Sequence, residues 1–250
     1  MRLDLYLVEK GFYTTRSKAQ NAIKNGDVKV SNNPNPKSRD EVSDNDTIEI
    51  LKDSCPYVSR GGLKLETAIK SFNLDFNGKT VLDIGASTGG FTDCSLKNGA
   101  KLVFAVDVGT SQLDDSLKNN PKVKSFENTN ILDFKCQEHF DFVVMDVSFV
   151  TIEYLLPGIK NFISDDTTFI ALIKPQFELE GKRFKNGIVK DYHLWLEVIE
   201  KVSNALNQEG LSIYKLVKSQ IKGGDGNQEF LALIKKGIYT NLNFLSVVRE

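Results

Sequence analysis

The stretch LDIGASTGGF, residues 82–91, places a carboxylate, three glycines and two hydroxyls directly after the apolar pair Val81-Leu82. An apolar run that stops at a glycine-rich turn reads as a strand feeding a helix, since glycine reaches backbone angles closed to other residues and the helix start presents free N–H groups. Outward from it, residues 81–85, 102–108, 123–127, 140–147 and 168–174 are short β-branched or aromatic runs, most separated by helical patterns. That alternation predicts an α/β fold, a doubly wound, mainly parallel, Rossmann-like sheet. A helix over 192–208 follows, then runs 211–219 and 229–236 joined by the glycine-rich IKGGDGNQ, which predict an antiparallel pair at the sheet edge.

The front of the chain is organised differently. Leu3 and Leu7 repeat at helical spacing, and Ala19, Ala22 and Ile23 follow a Thr14-Thr15 capping signal. Val28, Val30, Ile48 and Ile50 then alternate with polar residues across a loop rich in Asn, Pro, Ser and Asp. Residues 1–52 therefore read as a small α+β module, DSCPYVS at 53–59 as a linker, and 60–250 as the sheet domain.

With 250 residues, 40% of them hydrophobic, and a net charge of −1, the chain can bury a core but is not coated with positive charge. Any nucleic-acid surface must be local. Residues 10–29 supply one, with Lys10, Arg16, Lys18, Lys24 and Lys29 against Asp27, net +4. Apolar runs fall far short of the roughly 20 residues of a membrane helix, and the opening MRLD lacks a leader pattern, so a cytoplasmic protein without a membrane segment is expected. Cys55, Cys94 and Cys136 are widely spaced and remote from His139 and His193, which predicts neither a disulfide framework nor a metal site.

In a doubly wound sheet the ligand crevice opens beyond the carboxyl ends of the strands, where the strand order reverses. The candidate cofactor turn is Asp83, Gly85, Ala86, Ser87, Thr88, Gly89 and Gly90, with its glycines letting backbone pass close to a ligand. A dinucleotide fingerprint would want glycine where Ser87 stands, and Asp83 is a poor neighbour for a pyrophosphate. S-adenosylmethionine, which carries a sulfonium and an ammonium and no phosphate, suits both residues. Asp107 lies 22 residues after Gly85, near the spacing of a carboxylate that grips ribose hydroxyls. Asn130, in ENTNIL, is a candidate for the adenine edge.

Two further strands end in charge: VVMDVSF carries Asp146 and IALIKPQF carries Lys174. A lysine finishing a buried strand loses solvation unless a carboxylate or an open cleft receives it, although a packed stem with its head in water is the commoner fate. Lys64, in SRGGLKLETAI, and Glu229, in GNQEF, each read alone as solvated charges.

Taken together, YVSRGGLKL, LDIGASTGGFTD, VMDVSF, LIKPQFE and GNQEF resemble the TlyA family, whose catalytic half is similar to FtsJ-type RNA 2'-O-methyltransferases. The front module resembles the alpha-L RNA-binding domain. The resemblance implies a catalytic tetrad of Lys64, Asp146, Lys174 and Glu229, and cofactor contacts at Gly89, Phe91, Asp107, Asn130 and Asp146, although the FtsJ pattern tends to have an acid at position 130. It also implies methylation of a cytidine ribose in ribosomal RNA within a ribosomal subunit. The short front end resembles the subgroup acting on large-subunit RNA.

In that chemistry Lys174 is the expected base and Lys64 the neighbouring cation, with Asp146 and Glu229 aiming the amines. Arg2, Arg16, Lys18 and Lys24 are expected to contact RNA, as are Lys182, Arg183 and Lys185 in a loop interleaved with Phe177 and Phe184. An amine-methylating rival would want two prolines, which DVSF lacks, and a carbon-methylating one needs a crevice cysteine. A membrane-lytic haemolysin and a non-catalytic rRNA-binding assembly factor are the alternatives from other classes.

Overall fold

The computed structural model describes all residues except 14–15, 32, 34, 51–54, 180–186, 224–225, 238, 240–241 and 250, and the backbone alone at 17, 18, 21, 24 and 25. Two compact units divide the chain, Met1–Pro56 and Tyr57–Glu250. The expected linker straddles that division. Tyr57 is buried against Gly62, and the Val58 N–H donates to Asp93 at 2.9 Å, so both are built into the second unit.

The first unit runs α1 (Leu3–Glu9), α2 (Arg16–Asn25), β1 (Val28–Val30) and β2 (Ile48–Ile50). The expected caps Thr14 and Thr15 lie outside the described residues. Leu3 and Leu7 meet Ala19, Ala22, Ile23, Val28, Val30 and Val42 in a closed apolar core. The β1–β2 pair is antiparallel, Val28 opposite Ile50, with Val28 and Val30 buried and Lys29 exposed between them, as the two-residue side-chain period requires.

The second unit begins with α3 (Gly61–Phe72), β3 (Thr80–Ile84), α4 (Gly90–Lys97), β4 (Leu102–Val106), α5 (Asp115–Lys118) and β5 (Val123–Phe126). It continues with β6 (Phe142–Met145), α6 (Ile152–Ile159), β7 (Thr168–Ile173), α7 (Pro175–Glu178), α8 (Tyr192–Gln208), β8 (Leu211–Lys218), β9 (Phe230–Lys236) and α9 (Phe244–Arg249). Seven strands pair in the order β5-β4-β3-β6-β7-β9-β8. β3 to β7 are mutually parallel; β9 runs antiparallel to β7 and β8, and β8 is the edge, with a bulge between Ile213 and Lys215.

Every residue of β3 and β6 is buried, because a central parallel strand is covered on both faces; β6 is apolar throughout, and β3 is apolar except for Thr80 and Asp83. Leu82, Val143, Phe169 and Phe230 anchor the core, each worth about 1.5–3 kcal/mol of burial. The order reverses between β3 and β6, so the crevice opens at their carboxyl ends. Register then places the chemistry. Ile84 opposite Met145 sets Gly85 beside Asp146, and Ile173 opposite Phe230 sets Lys174 beside Glu229.

Candidate active site

The turn after β3 is tied down by its neighbour β4. Gly85 N–H donates to the Val106 carbonyl at 2.9 Å, and the Asp107 carboxylate accepts from the N–H groups of Ser87 at 2.8 Å and Gly109 at 2.6 Å. Ser87 is exposed and left-handed, with φ +48°. The glycines, expected to clear space for a ligand, have reasons within the protein. Gly89, at φ +98°, leaves a space that a Cβ would fill by colliding with Leu117 and Leu113, and a Cβ at Gly90 would collide with Ser59 and the backbone of Gly62. They seat α4 against α5 and the start of α3.

Phe91 is buried in the first turn of α4, 3% exposed, so its ring is a wall element rather than an open contact surface. Asn130 caps a local turn, its Oδ1 accepting from the Leu132 N–H at 3.0 Å. Asp83 is fully buried: Oδ2 accepts from the Thr92 hydroxyl at 2.6 Å, and Oδ1 has no hydrogen-bond partner among the described residues. Residues 83–91 contain no lysine or arginine, while Asp83 and Asp107 converge on the turn. That donor set fits a cationic, phosphate-free cofactor, in which a sulfonium and an ammonium would meet carboxylates, and disfavours a pyrophosphate.

Burial pushes the Asp83 carboxyl up to about 7; the Thr92 hydroxyl opposes the rise, and the negative charges of Asp146 and Asp107 add to it. The folded chain therefore holds a proton between about pH 4 and pH 7 that the unfolded chain has released, so this group's contribution to stability is full below pH 4 and lost by pH 7. Asp83→Asn removes the titration. Between pH 4 and pH 8 the stability of the variant is expected to gain about 2–4 kcal/mol on the wild type, checked by denaturant melts across that range. A difference that stays constant with pH would contradict the assignment.

At the carboxyl ends of the next strands two lysine–carboxylate pairs sit below the surface. Lys174 Nζ, on a residue 8% exposed, lies 2.5 Å from Asp146 Oδ1 and donates to the Ser148 hydroxyl at 2.8 Å. Lys64 Nζ lies 2.6 Å from Glu229 Oε2, on a residue 2% exposed. α3 links the two pairs: a Cβ at Gly61 would lie 3.7 Å from Asp146 Oδ2, and Lys64 stands one turn further along the same helix. All four residues named by the resemblance are thus gathered at one end of the sheet.

Two neighbours from the same VMDVSF stretch join the site beside Asp146. Ser148 lies two residues after Asp146, and Phe149 is 90% exposed at φ +65°, its ring 4.8 Å from Phe177. A bulky residue at positive φ is a backbone outlier, and an exposed aromatic beside a buried charge cluster is a surface for stacking.

The expected RNA contacts fare unevenly. Lys182, Arg183 and Lys185 lie outside the described residues, as do the side chains of Lys18 and Lys24. Arg2 and Arg16 are both held by Asp4, a fully buried carboxylate. Arg2 Nε and Nη2 donate to it at 3.0 Å each, Arg16 Nε at 2.9 Å and Gln20 at 2.6 Å. Burial alone would raise the Asp4 carboxyl, but the hydrogen bonds from Arg2, Gln20 and Arg16 hold it well below the usual range. The remaining guanidinium donors face outward on side chains 43% and 50% exposed. Among the described residues no cluster of three or more His, Cys, Asp or Glu is placed to hold a metal, and no helix is long and apolar enough to cross a membrane.

A sheet with this strand order, an acidic turn at its switch point and an antiparallel excursion at one edge defines the α/β domain of an S-adenosylmethionine-dependent methyltransferase. Residues 57–236 match the model of the FtsJ-like methyltransferases and residues 1–48 that of the S4 domain, so the chain belongs to the FtsJ-like methyltransferase family and carries an S4 domain in front. Among its relatives is a Mycobacterium tuberculosis protein named 16S/23S rRNA (cytidine-2'-O)-methyltransferase TlyA, 34% identical over 94% of this chain and 89% of its own. A Campylobacter jejuni protein named 23S rRNA (cytidine-2'-O)-methyltransferase TlyA is 34% identical over 92% of this chain and 97% of its own. A solved structure from Streptococcus thermophilus, named as a hemolysin, is 36% identical, covers 100% of this chain and 94% of its own, and superposes with a TM-score of 0.78.

Proposed function

We propose that this chain transfers a methyl group from S-adenosylmethionine to the 2'-hydroxyl of a cytidine ribose in ribosomal RNA, within a ribosomal subunit and by preference the large one. The observation that carries the reading is the pairing of Lys174 with Asp146 and of Lys64 with Glu229 at the same end of the sheet as the switch point. The names of the TlyA relatives support the substrate, and the match over almost the full length of the Campylobacter protein supports the large subunit.

The cofactor, when bound, supplies a methyl group on a sulfonium, an electrophile that needs no further activation. Asp107, its carboxylate fixed by two backbone N–H groups, would accept from the ribose hydroxyls of that cofactor, and Asp83 with the turn would receive its cationic end. Catalysis by the protein is then chiefly positioning of the target oxygen plus late removal of its proton. Lys174 Nζ takes that proton. Asp146 aims the amine, and Lys64 with Glu229 braces the opposite wall of the site. Phe149, backed by Phe177, offers its face to an unpaired base, as RNA-modifying sites require when the target must leave a stack. Base methylation through a thiolate is disfavoured, since burial pushes the Cys94 thiol up to about 12.

An enzyme of this kind works where ribosomes are assembled, which places it in the cytoplasm. Incubating ribosomal subunits with the protein and labelled S-adenosylmethionine should transfer one methyl per subunit, located on a cytidine ribose by nuclease digestion and mass spectrometry. Label on a base, or none at all with properly folded protein, would rule the reading out; the second result would point to an assembly factor. Lysis of red cells without cofactor would favour the hemolysin name.

A further inference from the structure

We propose that Ser148 is a positioning residue for methyl transfer: its hydroxyl, together with Asp146, fixes the direction in which Lys174 presents its lone pair. The proposal rests on the reading of Lys174 as the base. Asp146 and Ser148 stand two apart in the segment that follows β6, and both side chains reach the same amine. Val147, between them, packs under the turn, where a Cβ at Gly85 would meet its Cγ1. One amine thus receives two oxygens from a single short segment, Asp146 Oδ1 at 2.5 Å and Ser148 Oγ at 2.8 Å.

The geometry of nitrogen gives the second oxygen its meaning. A neutral lysine nitrogen has four tetrahedral directions: one is its own carbon, and two are N–H bonds. With one N–H donated to Ser148 and the nitrogen held against Asp146 Oδ1 by the ion pair, the directions left for the lone pair are few. With Asp146 alone, the flexible stem could swivel the lone pair away while keeping its contact, and orientation would be lost. A second carboxylate would fix the direction too, but would add charge that holds the proton on nitrogen. A hydroxyl orients without that charge. Phe149, directly after Ser148, has φ +65°, a backbone angle that a bulky residue adopts only when its surroundings hold it.

Ser148 is also exposed, while Lys174 is 8% exposed. As the new O–C bond forms, the S–C electron pair returns to sulfur and the proton of the 2'-hydroxyl passes to Lys174 Nζ. The ammonium then donates one proton to Ser148 Oγ as Ser148 releases its own to water, which restores the neutral amine.

Single-turnover methyl transfer from pH 6 to 9, at saturating RNA and cofactor, tests this with Ser148→Ala, Ser148→Thr and Lys174→Ala. The charged groups around the amine, Asp146 on the β6 end, Glu229 before β9 and Lys64 on α3, stay in place in both serine variants. Ser148→Ala is expected to slow the step about ten- to a hundredfold, the size of one hydrogen bond to a charged group, without changing the cofactor Kd. The midpoint of its rate–pH profile should move to lower pH, because the ammonium loses an acceptor, and Ser148→Thr should restore rate and midpoint. Wild-type rates for Ser148→Ala, or a threonine variant as slow as the alanine one with an unmoved midpoint, would overturn the proposal. If Lys174→Ala is slow and Ser148→Ala is not, only the role of Ser148 falls. If Lys174→Ala itself runs at the wild-type rate, the base assignment falls with it.

Discussion

Lys174→Ala is expected to lower methyl transfer by about 10²- to 10⁴-fold, the usual worth of a positioned general base, while the cofactor Kd changes by less than about threefold. The asymmetry follows from the contacts. Lys174 reaches Asp146, Ser148 and the ring of Phe177, whereas the turn that would cradle the cofactor is fastened by Asp107, Thr92 and backbone groups. Removing the amine also leaves the Asp146 carboxylate without its cation, although that side chain is 19% exposed and can gain water. Rate measurements therefore need a melt beside them.

Lys64→Met supplies the contrast. It strands the carboxylate of Glu229, 2% exposed, and an unpaired buried charge is expected to cost about 3–5 kcal/mol of stability. A loss of rate in Lys64→Met that vanishes once the protein is held folded would assign Lys64 to bracing. Titration calorimetry with S-adenosylmethionine and single-turnover transfer, run on the same preparations, separate the two roles. Turnover within a few fold of wild type in folded Lys174→Ala would remove the base from the mechanism.

How much of this was legible in the sequence depends on the range of the interaction. β3 and β6 are legible because a central parallel strand is covered on both faces and so is mostly apolar, and Asp107 because strand and helix lengths in a βαβ unit keep its distance from the turn nearly constant. The pairs Lys64–Glu229 and Lys174–Asp146 leave no periodic trace. Their partners lie on different elements, and only the sheet register and the approach of α3 bring them together. Only the family resemblance gathered the four.

The glycines mark the turn, and Gly89 and Gly90 also answer to Leu117 and Ser59, a packing need that holds with or without a ligand. Phe91 rests on the resemblance and Asn130 on its place after a strand as well; in the structure one is buried and the other caps a turn. Nothing in a charge count reveals that a buried Asp4 holds both Arg2 and Arg16. Ser148 and Phe149 give no such sign, since a hydroxyl and an aromatic side chain have many duller uses.

Deleting residues 1–56 is expected to abolish modification of ribosomal subunits, a loss of at least about a hundredfold at physiological salt, and to leave cofactor binding intact. The cut falls where one compact unit ends. Leu3, Leu7 and their neighbours close a core of their own, and the main core of the sheet draws on residues from Leu82 onward, so the deletion takes no side chain from that core or from the turn. What it does remove is the local cluster of positive charge at residues 10–29, in a unit that carries nine basic and nine acidic residues overall. That charge is smaller than a count suggests, because Lys10 pairs with Asp44 at 2.7 Å and Asp4 offsets one of its two arginines.

Some three or four cations remain to meet phosphates, each contributing about 0.7 to the slope of log K against log salt on single-stranded RNA. The intact protein should therefore show a slope of about −2 to −3 beyond that of the truncated one, and the two affinities should converge as salt rises. Filter binding to a ribosomal RNA fragment across a salt series reads the slope, and calorimetry with S-adenosylmethionine confirms that the truncated chain is folded. A truncated chain that binds its cofactor and still modifies the subunit at the wild-type rate would move RNA recognition into the second unit, where the basic residues of 182–185 become the place to look.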